Sequence, residues 1–139
     1  MTVLPKQKSR THIWTYWLPV ILYASLIVFL SSLSSPGVNF ITIFPGFDDK
    51  IIHAIEYAIL AILCYRALLH TTTTEWRFYA PFLAIMSSVM FGITDEIHQA
   101  FVPLRQADAW DVLADGIGAS IGVGMWKWLF HLSSPEPLT

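Results

Sequence analysis

Charge and sulfur are scarce in this chain. A single cysteine, Cys64, stands among 139 residues, which excludes an internal disulfide and a cysteine-based metal cluster. Charged residues make up 13%, about half of the roughly 25% usual in soluble domains. A net charge of −2, with no basic stripe, excludes a nucleic-acid partner. No H-E-x-x-H sequence occurs, so the helix-borne zinc-hydrolase pattern is excluded too. What is abundant is apolar: 55% of residues, with six Trp, nine Phe and five Tyr. A soluble fold of this size leaves about a third of its unfolded-chain surface exposed, too much to hide that composition. The bilayer is the better solvent, and membrane lipids are the first partners expected.

Four runs are long enough for the about 20 mostly apolar residues that cross a hydrocarbon core. Ile13 to Leu33 is the first, with Trp14, Tyr16 and Trp17 as an interfacial belt. Its apolar stretch exceeds the roughly 7–15 residues of a signal-peptide core, so it reads as a retained helix. The second runs from about Lys50 to Leu69, the third from about Phe78 to Glu96, and the fourth from near Asp108 to near Phe130. Between the first two lies SSPGVNFITIFPGFDD, whose Pro-Gly pairs mark turns and whose apolar middle suits the membrane interface. TTTTE, Thr71 to Glu75, reads as a short connector. The expected fold is all-α: a four-helix transmembrane bundle over 13–131, between a cytoplasmic segment 1–12 and a cytoplasmic tail 132–139. Lys6, Lys8, Arg10, Arg66, Arg77 and Lys127 fall on one side and Lys50 and Arg105 on the other. That bias puts both termini in the cytoplasm of a multi-pass protein of the cytoplasmic membrane.

The acids break the apolar pattern. Threaded this way, all six aspartates (Asp48, Asp49, Asp95, Asp108, Asp111 and Asp115), with Glu56, Glu96, His53 and His98, fall at the outer ends of spans two to four. Residues three and four apart share a helix face. Asp49, His53 and Glu56 therefore form one stripe with Tyr57 at its edge, and Asp95, His98 and Gln99 form another, continued by Ser88 and Gly92. Asp108, Asp111 and Asp115 form a third, continued by Gly118 and Gly122, a small-xxx-small seam that admits a close neighbour. Charged groups this deep must face the bundle and find partners. Arg105 is the obvious fixed cation, on a short loop above several carboxylates, one of which its fork can engage bidentately, while Asp108 also has the residue type of a helix N-cap. Eight carboxylates against two cations and two histidines leave an excess of negative charge. Protonation, water or a bound cation must relieve it.

DDKIIHAIEYAILAIL and TDEIHQAFVPLRQADAWDVLADGIGASIG resemble the VanZ-like family of small bacterial membrane proteins. The matching positions are Asp49, Lys50, His53 and Tyr57, then Asp95, Glu96, Gln99 and Arg105, then Asp111, Asp115 and Gly118. Leu104 stands where glycine often precedes the loop arginine, and Asp115 where asparagine is common. The resemblance implies a role in the bacterial cell envelope and a link to resistance to the glycopeptide teicoplanin.

Two chemistries suit such a pocket. One is metal-assisted transfer or hydrolysis on an envelope lipid or lipid-linked cell-wall precursor. Its candidate catalytic groups are Asp49, His53, Asp95, Glu96, Arg105 and Asp111, with Tyr57, Gln99 and Arg105 contacting substrate. Asp49, His53, Asp95 and Asp111 would ligate Zn²⁺, Mn²⁺ or Mg²⁺. The other is binding alone, of a lipid precursor, a glycopeptide or a partner enzyme, with the same residues as contacts and a structural polar network as the plainer alternative. Ion transport fits least, because the polar groups occupy one end of the spans.

Overall fold

The computed structural model describes residues 10–33, 49–103 and 105–132. Among these the chain is all helical: α1 Arg10–Ser31, α2 Asp49–Thr71, α3 Thr74–Arg77, α4 Ala80–Gln99 and α5 Ala109–Leu132. The long helices agree with the expected spans to within a few residues. The four-residue α3, within and just after the expected connector, departs from the sequence pattern because one helical turn carries no periodic signal. Pro81 sits in the first turn of α4, where its missing N–H removes no helical bond. The interfacial segment between spans one and two, Asp48 with it, and the polar tail lie outside the described residues.

Among the described residues, three helices are long and apolar enough to cross a membrane: Ile13–Ser31, Lys50–Thr71 and Ala80–Gln99. α5 has the length, 24 residues, but Asp111, Asp115, Lys127 and four glycines dilute its apolar character.

α2 is the centre of the bundle, packed against α1, α4 and α5. It runs antiparallel to α1, as Trp17 Nε1 donates to Thr71 Oγ1 at 3.1 Å and Arg66 lies over the Tyr16 ring. It runs parallel to α5, because both helices start at the acid-rich end. Gly118 and Gly122 make that parallel contact. A β-carbon on Gly118 would collide with the Ala54 carbonyl oxygen, and one on Gly122 would come within 2.7 Å of the Ala58 carbonyl oxygen. Glycine alone lets the two backbones approach so closely. The expected seam thus has its partner, α2.

Polarity is inverted relative to a soluble protein. Twelve apolar residues are buried among the described ones, five of them alanines, while 29 large apolar side chains are exposed. So small an interior cannot hold a water-soluble fold against that exposed surface. Ile51, Ile55 and Ile59 on α2 and Leu113, Ile117 and Ile121 on α5 form outward stripes suited to acyl chains. The buried polar groups among the described residues are Ser31, His53, Ser88, Asp95, Glu96, Gln99, Asp111 and Asp115.

Candidate functional site

Helix register builds the site. On α2, Lys50, His53 and Tyr57 descend one face at spacings of three and four. On α5, Asp111 and Asp115 do the same, so the parallel pairing matches them rung by rung. The Lys50 ammonium donates to Asp111 Oδ1 and to Asp108 Oδ2, both at 2.8 Å. Below it, His53 Nδ1 lies 3.2 Å from Asp115 Oδ1, and His53 Nε2 lies 4.0 Å from Asp111 Oδ2. Tyr57, fully buried, keeps its ring parallel to His53 with centroids 6.3 Å apart.

α4 supplies the third wall. Asp95 Oδ1 accepts the Ser31 hydroxyl at 2.7 Å, and its Oδ2 accepts the Gln99 amide at 2.9 Å. Glu96, about 100° round the helix from Asp95, faces α5 and accepts the Asp108 backbone N–H at 2.8 Å. Gly92 makes room: a β-carbon there would strike Asp115 Oδ2 and lie 3.2 Å from Tyr57 Cε1.

Asp108 caps α5. Its Oδ1 accepts the Trp110 N–H at 2.9 Å and its carbonyl accepts the Asp111 N–H at 3.0 Å, the bonding of an N-cap. The Lys50 ammonium beside it holds the Asp108 carboxyl below its ordinary value, with the Trp110 N–H helping.

These contacts sort the expected site residues. His53, Glu96 and Asp111 converge, with ligand atoms all within 4.8 Å of one another. Asp95 is engaged with Ser31 and Gln99 instead. Asp49 begins α2, and its side chain lies outside the described residues. Tyr57 borders the cluster, and Gln99 is spent on Asp95. Arg105, half-buried, forms no ion pair with any described carboxylate; the cation that meets the acids is Lys50. The reason is geometric. Lys50 rides on the same rigid face as His53, whereas Arg105 sits in the loop before α5.

Three contributors lie outside the candidate catalytic, substrate-contacting and metal-ligating residues, although two of them, Lys50 and Asp115, are among the VanZ-matching positions. Lys50 carried a signal, its place three residues before His53. Asp115 carried another, four residues after Asp111. Ser31 carried none beyond a polar residue at the end of an apolar helix.

Several buried atoms in this region have no described bonding partner: Tyr57 Oη, Ser88 Oγ, Glu96 Oε1 and Asp115 Oδ2. The rim is more open, with Lys50, Asp108 and His98 side chains 42%, 43% and 41% exposed. Chemically, this is an imidazole wedged among carboxylates in a water-poor setting, reached from the end of the bundle.

On another face of α5 an apolar groove of about 620 Å³ is lined by Val89, Val112, Gly116, Ile117, Ser120 and Ile121. Among known protein families, a model described as VanZ/LLP1 matches residues 1–131. No curated protein and no solved structure matches the chain.

Proposed function

The chain belongs to the VanZ-like family, and from that premise we propose that it binds a head-grouped envelope lipid or lipid-linked cell-wall precursor at the outer face of the bacterial cytoplasmic membrane. In this reading α5 is a fourth span, both termini are cytoplasmic, and the acid-rich end opens outward. The distribution of cations supports it. Arg66, Arg77 and Lys127 lie toward the end of the bundle opposite Asp111, as the positive-inside rule requires. Asp111 and Asp115 on α5 are then buried against α2 rather than exposed to acyl chains, which removes most of their insertion cost.

One observation carries the proposal: the buried His53–Glu96–Asp111–Asp115 cluster stands at the end of the bundle, and an apolar groove on another face of α5 is lined from Ala109 and Val112, the positions flanking Asp111, downward. A headgroup meets polar partners in the first while a hydrocarbon tail follows the second down α5. Glycopeptide resistance then follows from altered handling of cell-wall precursors.

The test pairs lipid retention with abundance. Protein extracted from its own membranes should carry lipid seen by native mass spectrometry. Asp111→Asn should reduce that lipid at least about tenfold and raise teicoplanin susceptibility, with unchanged membrane abundance. Loss of abundance with lipid retention per molecule intact would instead mean that the cluster is only a structural network.

A further inference from the structure

The cluster holds more negative charge than its described cations offset. Glu96, Asp108, Asp111 and Asp115 converge on Lys50 and His53. Lys50 is shared between Asp108 and Asp111, and it reaches only Oδ1 of the latter. The other oxygen, Oδ2, faces His53 Nε2 at 4.0 Å, beyond hydrogen-bond length. That spacing fits two donors around one ion, since ligand bonds of about 2.0–2.6 Å put donors roughly 3–5 Å apart, from neighbouring to opposed positions. Glu96 completes the triangle, all three ligand atoms lying within 4.8 Å.

Two further observations point to a ligand. Glu96 is 6% exposed, yet its Oε1 has no described partner, a costly state for a carboxylate without a counter-charge. His53 is also already oriented. Asp115, 1% exposed, approaches Nδ1 at 3.2 Å; with the proton on Nδ1 the imidazole donates to that carboxylate, and Nε2, 4.0 Å from Asp111 Oδ2, is the atom left to ligate. A carboxylate behind a histidine is the arrangement that fixes tautomer and raises basicity at metal sites.

We infer that His53, Glu96 and Asp111 hold one divalent cation of the Zn²⁺ or Mn²⁺ class, with Asp115 as the positioning residue behind the imidazole. An imidazole with two carboxylates suits these ions better than Ca²⁺, which takes oxygen donors. The ion offsets the acids and offers open positions to an anionic oxygen. On the headgroup reading above, on which this last step rests, the ligand class is a phosphate-bearing lipid bridged to the protein through the metal.

The experiment uses the full chain in detergent, stripped with chelator and titrated with Mn²⁺ or Zn²⁺ alone. One ion per chain is expected, and pulsed electron paramagnetic resonance of the Mn²⁺ form should show one imidazole nitrogen. His53→Gln should lose that nitrogen signal, and Glu96→Gln and Asp111→Asn should weaken binding at least tenfold. Asp115→Asn should weaken it about 10–100-fold while keeping the nitrogen signal, and Glu75→Gln, at the far end, should change nothing. No saturable binding by the wild-type chain up to about 1 mM of either ion would overturn the inference, whatever the variants do. So would binding that lacks the nitrogen signal, or that survives Glu96→Gln and Asp111→Asn unchanged. If the ion binds as expected but chelation leaves lipid retention untouched, the bridged-headgroup step fails and the metal site stands.

Discussion

Gly118→Ala tests the contact that holds the site together. A β-carbon there would fall on the Ala54 carbonyl oxygen and lie 2.6 Å from Ala54 C and Cα. Carbon–carbon contacts settle at about 3.5–4.0 Å, so α2 and α5 must part locally by roughly 1 Å. Neither obstacle is a flexible side chain, and both belong to helix backbone. Overpacking of this kind costs about 1–3 kcal/mol, or roughly 5- to 150-fold in the folding constant. One turn toward the acids, the same opening would stretch the 3.2 Å His53–Asp115 contact out of bonding range. Gly122→Ala is the milder case, 2.7 Å from Ala58 O and 3.1 Å from Ala58 C. Gly124→Ala meets nothing within 4 Å and should be close to neutral. Reversible unfolding in mixed micelles with increasing dodecyl sulfate gives the three free energies. The destabilisation should rank Gly118 above Gly122 above Gly124, and equal effects at Gly118 and Gly124 would refute the close parallel contact.

Two smaller perturbations probe the ends of the network. Ser31→Ala removes the hydroxyl that donates to buried Asp95 at 2.7 Å and should cost about 1–3 kcal/mol by the same unfolding assay. Ser25→Ala, which loses only an exposed bond to its own helix at Ile21 O, should cost far less, and equal costs would count against the α1–α4 bridge. At Asp108 the sign follows from its depressed carboxyl. A lowered folded-state value means that the Lys50 pair contributes fully above the ordinary aspartate value of 3.8 and fades only as pH falls through the depressed one. Asp108→Asn keeps the cap, since asparagine caps as well as aspartate, and removes the charge. The stability gap between wild type and Asp108→Asn should therefore persist from about pH 7 down to the ordinary aspartate range. A gap that closes by about pH 6 would mean that Lys50 does not hold Asp108.

The long helices were legible because each needs only a run of apolar residues and a length. The polar stripes were legible for a similar reason, since His53 with Tyr57, Asp95 with Gln99 and Asp111 with Asp115 recur at helical spacing. What one-dimensional spacing cannot encode is the register between helices. It tells which face His53 occupies but not that Asp115 on a parallel helix meets its Nδ1. The choice of cation was hidden for the same reason. Arg105 is nearer in sequence to Asp108 and Asp111 than Lys50 is, yet the parallel α2–α5 pairing delivers the lysine. Glu96 sits beside Asp95 in sequence and points elsewhere, because one residue is about 100° of helix. Ser31 needed the α1–α4 approach before its role could be read at all.

Acids gathered in a low-dielectric setting repel one another, so something outside the cluster must hold them. The α2–α5 seam does this. Gly118 and Gly122 lie about one and two turns beyond Asp115 on its own face, and each sits on a backbone carbonyl of α2, Ala54 or Ala58. The close approach they permit sets the helix separation at His53, and with it the distance to Asp111 and Asp115. Gly92 does the same for α4, leaving the volume that Asp115 and Tyr57 occupy. Packing below the acids thus offsets the repulsion among them. Loosening the seam should therefore disturb the cluster first and helix content hardly at all, since each helix keeps its own backbone bonds in lipid.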